Sequence, residues 1–132
     1  MIKILDASAL LTYLEKEPGY EKVRDAFIKA ANTGKNLSMT TVNWGEVLYI
    51  LTKELGQEEA DKIEKVIESF PIELVPVDTA LAKQAAYYKA EYKLPYVDCF
   101  AAGLSKLRRG ELLTCDNDFR IMKTEIKILW LN

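Results

Sequence analysis

Residues 2–10 read Ile-Lys-Ile-Leu-Asp-Ala-Ser-Ala-Leu, and this stretch decides how the rest of the chain is interpreted. Residues 2–5 are mostly apolar and favour a short buried strand. Asp6 follows directly, and a helix is predicted from about Ser8, because apolar residues then recur at helical spacing through Leu14. A strand that passes straight into a helix is typical of the strand–helix–strand units of parallel sheets.

The same alternation continues along the chain, and Pro18-Gly19, Gly34, Gly56 and Gly110 separate its segments. Pro76 indicates that the third strand lies at a sheet edge. This pattern predicts an α/β fold in which helices cover both faces of a parallel sheet. The predicted strands are residues 2–5, 37–40, 72–77, 111–115 and 127–131, and the predicted helices are residues 8–17, 20–33, 42–55, 57–70, 79–92 and 95–109, with a short helix possible at 119–122.

The composition limits both the architecture and the chemistry. A chain of 132 residues that is 49% hydrophobic can form one domain with a single core, which we assign to residues 1–132. The sequence contains no histidine, which excludes a Ser-His-Asp triad, a Cys-His pair and a His-ligated zinc or iron. Cys99 and Cys115 are too few for a thiolate metal site. Any metal site must therefore use oxygen ligands, which select Mg²⁺ or Mn²⁺.

The net charge of −2 argues against a broadly basic nucleic-acid-binding surface. It does not exclude an enzyme whose bound metal ions neutralise phosphate locally. The first residues form a predicted strand, whereas a secretory leader has a basic end and a longer apolar stretch, and no apolar run approaches the length of a membrane span. We therefore expect a cytoplasmic protein.

Four carboxylates fall just after predicted strands or in the first turns of the helices, at Asp6, Glu46, Asp98 and Asp116, with Asp118 close behind. Ligands of open parallel sheets bind beyond the carboxyl ends of the strands, and all four acids map to that end. Asp6 and Asp116 can meet there only if the first and fourth strands are neighbours. Clustered carboxylates repel one another, so such a group binds either protons or divalent metal. Two metal ions ~3.5–4 Å apart can activate water and stabilise the leaving oxygen of a phosphodiester.

Each acid also has a purely structural interpretation. Asp6 and the Asp116-Asn117-Asp118 turn could cap helices, and Asp118 in particular could cap the short helix. Glu46 follows Asn43 by three residues, as in a capping box. Asp98 lies in a first helical turn, where the helix dipole favours an anion. The sequence alone leaves both sets of interpretations open.

The segments around these acids resemble the motifs of PIN-domain ribonucleases, and the resemblance covers the whole chain in order. Its most specific part is the strand followed by Thr-x-Asp-x-Asp-Phe, residues 114–119. A compact chain of this length most resembles the VapC toxins of VapBC toxin–antitoxin pairs. The four motifs are residues 6–10, 40–48 around Glu46, 94–102 around Asp98 and 113–119 around Asp116.

The resemblance implies a five-stranded parallel sheet in the order 3-2-1-4-5. It also implies Mg²⁺- or Mn²⁺-dependent cleavage of RNA that leaves a 5′-phosphate and a 3′-hydroxyl, a homodimer, and a cognate VapB-type antitoxin that covers helices one to four. By motif, Asp6, Asp98 and Asp116 are metal ligands, and Glu46 completes the catalytic acids directly or through water. Supporting roles behind the ligands fall to three further residues, Ser8, Thr114 and Asp118.

Basic and aromatic residues near the acids are candidates for RNA contact. Arg120 and Lys123 follow the Asp116 turn and could bind phosphate. Tyr96 lies at a helix start near Asp98, where it could stack on an unpaired base or pack in the core. The basic residues at 106–109 lie at the end of a helix, away from the carboxyl ends of the strands, where they complement the helix dipole.

Alternative functions remain at this point. A PIN nuclease could process RNA outside any toxin pair, and a PIN fold could serve only for binding. A receiver-type signalling domain, phosphorylated on Asp78, shares the small α/β architecture. Receivers, however, need paired acids after the first strand and a Lys after the fifth, and here Asp6 stands alone and only Asn132 follows Leu131.

Overall fold

The computed structural model describes all 132 residues and contains a parallel sheet flanked by helices. A short 3₁₀ helix, Asn117–Met122, joins the last two strands. None of the helices has the length and apolar character needed to cross a bilayer. The strands are β1 Lys3–Leu5, β2 Leu37–Thr40, β3 Ile72–Val75, β4 Glu111–Thr114 and β5 Lys127–Trp130, and the helices are α1 Ala7–Glu15, α2 Tyr20–Thr33, α3 Thr41–Leu55, α4 Gln57–Ile67, α5 Thr79–Glu91 and α6 Tyr96–Leu107.

The five strands are parallel and lie in the order β3-β2-β1-β4-β5, as predicted. In register, Leu5 of β1 pairs with Leu113 of β4, and Thr114 of β4 pairs with Trp130 of β5. The first and fourth strands are therefore neighbours, and the residues that follow them emerge side by side at the same edge of the sheet.

The ends of the elements follow from local chemistry. β3 ends at Val75 rather than at the predicted Val77, because Pro76 has no N–H to donate to the sheet. Thr40 is the N-cap of α3 and accepts a hydrogen bond from the backbone N–H of Asn43 at 3.0 Å. Asn43 is therefore not the first residue of a capping box, and Glu46 lies one turn farther along the helix than that interpretation required.

Two apolar cores lie against the sheet, as expected when helices cover both faces. The first includes Leu10 of α1, Phe27 of α2 and Val47 of α3. The second includes Tyr88 of α5 and Leu104 of α6. The helices that carry the candidate acids are thus anchored by packing on opposite faces, and their first turns converge on one edge of the sheet.

Candidate active site

Asp6 directly follows β1 and is the N-cap of α1. Its Oδ1 accepts hydrogen bonds from the backbone N–H of Ala9 at 2.8 Å and from the hydroxyl of Ser8 at 2.7 Å. Only 3% of the residue is exposed. The cap interpretation of Asp6 is therefore correct. Its buried carboxylate lies near enough to Asp116 for that charge to raise its pKa, but it is not one of the three carboxylates, Asp98, Asp116 and Asp118, that lie within 4.8 Å of one another.

Thr114, the last residue of β4, connects Asp6 to Asp116. Its hydroxyl donates to Oδ2 of Asp6 and accepts from the backbone N–H of Asp116 at 2.9 Å. Ser8 adds a second connection, because its hydroxyl accepts from the backbone N–H of Cys115 at 3.1 Å. These bonds hold the loop after β4 against the loop after β1.

Asp98 enters the same site from the first turn of α6. The residue is buried, with 6% exposure, and its Oδ2 has no hydrogen-bond partner. One carboxylate oxygen from each of Asp98, Asp116 and Asp118 lies within 4.8 Å of the other two. A buried polar atom without a partner is rare in folded proteins and indicates a bound proton, water or ion.

The sequence left open whether Asp116 and Asp118 cap the 3₁₀ helix or belong to the acidic site. Oδ1 of Asp116 accepts from the backbone N–H of Asp118 at 2.9 Å, so Asp116 is the cap of the 3₁₀ helix. Asp118 does not cap it. The Asp118 side chain is exposed, and its carboxylate belongs to the cluster with Asp98 and Asp116.

The electrostatics of the site show that the acids interact. Burial raises the pKa of Asp98 to about 8, and the carboxylates of Asp116, Asp6 and Glu46 add to the increase. Burial also raises the pKa of Asp6 to about 6, although hydrogen bonds from Thr114 and Ser8 oppose the shift. The pKa of half-buried Glu46 on α3 is raised by burial and by the charge of Asp116.

No protein cation compensates this negative charge. The six ion pairs of the structure all lie elsewhere, and none includes Asp6, Glu46, Asp98 or Asp116. The donor set consists of carboxylate oxygens, which are the ligands that hard divalent cations prefer. The site therefore fits a hard divalent cation.

The basic residues at the end of α6 take part in other contacts. Arg108 donates to Oε1 of Glu73 on β3 and to the Ser38 hydroxyl on β2, both at 2.9 Å, and Lys106 pairs with Glu125 at 3.3 Å. Ser38 lies two residues before the end of β2. Arg108 therefore points away from the carboxyl ends of the strands, where the acids lie.

Three further residues were predicted to contact RNA. The guanidinium of Arg120 lies 4.2 Å from the ring centre of Trp130, and its Nε donates to Asn117 at 3.1 Å. Trp130 gave no signal in the sequence beyond its place in a strand. Lys123 is exposed at the end of the 3₁₀ helix. Tyr96 is 49% exposed, so it is not a core residue.

Asp78 does not join the acidic site. It follows β3, an edge strand separated from β1 by β2, and its Oδ1 caps α5 by accepting from the backbone N–H of Leu81 at 2.8 Å. A receiver domain of the flavodoxin-like type has the strand order 2-1-3-4-5, which differs from the order found here. The receiver alternative is therefore excluded by topology.

The sequence profile of the PIN domain family matches residues 3–124, and the chain belongs to this family. The fold is similar to that of DNA-bound VapBC from Salmonella typhimurium, with a TM-score of 0.77, 20% identity, and coverage of 100% of this chain and 99% of the other. VapBC2 from Rickettsia felis, bound to a promoter DNA fragment, gives a TM-score of 0.77 at 13% identity, with 98% of each chain covered.

A third similar fold is that of Mycobacterium tuberculosis VapC20, a toxin that cleaves the sarcin–ricin loop. Its TM-score is 0.64 at 17% identity, with 92% of this chain and 95% of that chain covered. A comparison with curated proteins finds no significant match.

Proposed function

We propose that this protein is a metal-dependent endoribonuclease and the toxin of a VapBC-type toxin–antitoxin pair. The observation that carries the proposal is the Asp98 carboxylate, which is buried, lacks a partner on Oδ2 and lies within 4.8 Å of the carboxylates of Asp116 and Asp118. A nuclease that works through hard cations needs such a group, whereas a purely structural cluster would be expected to pair its buried acid with a cation or a donor.

The proposed metal ligands are Asp6, Asp98 and Asp116, with Glu46 acting directly or through water. Oδ1 of Asp6 accepts two hydrogen bonds and Oδ2 accepts one, so Oδ2 is the oxygen with a lone pair left for a cation. Oδ2 of Asp98 is unpaired. Asp118 lies close enough to contribute an oxygen as well. We propose Mg²⁺ or Mn²⁺ as the cofactor, because the donor set is composed of hard oxygens.

A bound divalent cation supplies Lewis-acid stabilisation of phosphodiester oxygens and lowers the pKa of water. The chain's own contribution is positioning and charge. Thr114 and Ser8 fix the orientation of the Asp6 carboxylate. Asp98, whose pKa is about 8, keeps a proton at neutral pH and gives it up when a cation enters. Attack of water on phosphorus with cleavage of the P–O3′ bond would leave a 5′-phosphate, and the 3′-oxygen would leave as a hydroxyl with a proton that comes from the attacking water.

Substrate contacts are proposed for the residues around the acidic edge. Arg120 is held on the Trp130 ring with its guanidinium plane fixed, which suits a phosphate contact. Lys123 and the exposed ring of Tyr96 are the other candidates for contact with single-stranded RNA.

The proposed protein partners are a VapB-type antitoxin and a second copy of the chain. The similarity to the two VapBC complexes supports the antitoxin proposal, since those proteins carry the same fold over nearly their whole length. The second copy is proposed from the resemblance of the motifs to VapC toxins. The half-buried side chains of Leu11, Leu14 and Trp44 on α1 and α3 lie over the first core and offer apolar contact area for an antitoxin segment.

The test is RNA-end sequencing after induced expression of the wild type and of Asp6→Asn. The proposal predicts new 5′-phosphate ends at defined positions for the wild type and none for the variant. Asp78→Asn is the matched control, because Asp78 also caps a helix but lies outside the site, and it should cut like the wild type. Equal cleavage by Asp6→Asn would contradict the proposal. A toxin should also arrest growth unless a partner is co-expressed, whereas an RNA-processing nuclease should not.

A further inference from the structure

Asn43 is a completely buried polar residue in the first turn of α3, with 0% exposure. Its Oδ1 accepts from the Thr40 hydroxyl, and its Nδ2 donates to the backbone carbonyl of Val97 at 3.2 Å. The orientation of the amide is determined by these partners, because a carbonyl can only accept and must face the NH₂ group. Thr40 in turn accepts from the backbone N–H of Asn43, so its proton is free to face Oδ1.

This side chain connects the two helices that carry the acids from opposite sides of the site. Asn43 is one helical turn before Glu46 on α3, and residues three apart lie on the same helix face. Val97 directly precedes Asp98 in the first turn of α6. The bond from Asn43 to Val97 therefore joins the backbone at Asp98 to the face of α3 that bears Glu46.

We propose that Asn43 is a positioning residue that sets the separation of the Glu46 and Asp98 carboxylates. The inference rests on the proposed function, since it assigns the bridge a role in presenting these acids to a divalent cation. Partners behind metal ligands typically affect metal affinity or activity by about 10- to 100-fold. A residue that only filled space or capped α3 would affect stability without changing cation affinity.

The hydrogen bond from Asn43 to the Val97 carbonyl can be removed without removing the Thr40 cap of α3. Asn43→Leu keeps the branched shape of the side chain and leaves Thr40 able to accept from the backbone N–H at position 43, but it removes the donor to Val97. Asn43→Ala removes the same donor with less risk of overpacking. The matched control is Ser105→Ala, because Ser105 is a buried α6 residue whose hydroxyl bonds only within its own helix, to Ala101.

The experiment titrates Mn²⁺ into each folded variant by calorimetry and measures kcat and KM on RNA. The inference predicts Mn²⁺ affinity and kcat lowered about tenfold or more in both Asn43 variants, with KM for RNA little changed. Ser105→Ala should lose stability but keep wild-type affinity and kcat. Wild-type Mn²⁺ affinity in either folded Asn43 variant would overturn the inference, and a wild-type protein that binds no Mn²⁺ would overturn the proposed function with it.

A measurement on the wild type covers the case in which both variants unfold. The side-chain amide protons of Asn43 should exchange slowly with solvent in NMR spectra, because both polar ends of the group are buried and bonded. Their resonances should also shift when Mg²⁺ is added, since the bridge moves with the acids it positions. Rapid exchange, or resonances unchanged by saturating Mg²⁺, would overturn the inference.

Discussion

The hydroxyl of Thr114 donates a hydrogen bond to Oδ2 of Asp6, across the boundary between β4 and β1. The two residues are 108 positions apart in the chain, and the bond exists only because the strands that end at them are neighbours. It favours the ionised form of Asp6 and opposes the effect of burial on its pKa. The strand order thus supplies a hydrogen bond that lowers the pKa of Asp6.

Replacing Thr114 with Val should therefore raise the pKa of Asp6 further above its present value of about 6. Protons would then compete more strongly with a cation, so the pH at which Mg²⁺ binding reaches half its maximum should move upward. Thr114→Ser keeps the hydroxyl and is the control. Calorimetric titrations of Mg²⁺ across a pH series would check this. Identical pH profiles for Thr114→Val and Thr114→Ser would show that the hydrogen bond does not change the pKa of Asp6.

Asp116→Asn should stabilise the metal-free protein, because it relieves repulsion among carboxylates. The amide oxygen of Asn can still accept the hydrogen bond from Asp118, so the cap of the 3₁₀ helix is retained. The Asp116 charge raises the pKa values of Asp98 and Glu46, and removing it should stabilise the protein by roughly 1 kcal/mol. Thermal unfolding in EDTA measures it. A variant that melts below the wild type would mean that Asp116 serves mainly as a structural cap.

The free energy of unfolding should also depend on pH, because burial raises the pKa values of Asp98 and Asp6. Folded pKa values of about 8 for Asp98 and about 6 for Asp6 lie above the ordinary value of 3.8. Between about pH 4 and pH 8 the folded protein consequently binds more protons than the unfolded chain, and the free energy of unfolding contributed by these groups falls as pH rises.

Urea unfolding of the metal-free protein from pH 5 to pH 8.5 tests this trend. Asp98→Asn should show a weaker decline than the wild type over the same range, because it no longer has the acid with the highest pKa. Saturating Mg²⁺ should stabilise the wild type more at pH 8 than at pH 5.5, since cation binding requires deprotonated ligands. Parallel pH curves for the wild type and the variant would show that Asp98 ionises normally.

Arg120→Ala should weaken RNA binding and leave metal binding intact. Each lost phosphate contact lowers the salt dependence of binding by a slope of about 0.7 for single strands. Arg109→Ala is the control, because Arg109 is exposed beyond the end of α6, away from the acidic edge. Affinity for RNA in Ca²⁺ would be measured across a salt series. A flatter slope for Arg109→Ala alone would place the RNA path on the opposite edge of the sheet.

The fold was predictable because its strongest signals are local. The apolar stretch before Asp6 and the one before Thr114 each end at a polar residue followed by a helix or turn, and the structure keeps both boundaries to within one residue. The same local signals placed Asp6 and Asp116 just after strands and Asp98 in the first turn of a helix. The register of the sheet then brought Asp6 and Thr114 into contact, which the resemblance to PIN domains anticipated through the strand order.

What the sequence did not reveal depends on contacts between distant segments. Asn43 was interpreted as a cap, and its bond to Val97 depends on how α3 and α6 pack. Arg120 was identified by its position after the acidic turn, but its stacking on Trp130 requires the pairing of β4 with β5. Periodicity reports which residues are buried, and it contains no information on which buried polar groups meet.

The proposed function requires that the acids at the carboxyl ends of the strands hold a divalent cation during RNA cleavage. The most direct measurement is cleavage of a single-stranded RNA by the purified wild type and by Asp98→Asn, each with Mn²⁺ and with excess EDTA. We expect 5′-phosphate products from the wild type with Mn²⁺ only. We expect a loss of activity in the variant, which keeps the shape of the side chain but lacks its charge. Cleavage by the wild type in EDTA, or full activity of Asp98→Asn, would contradict the proposed function.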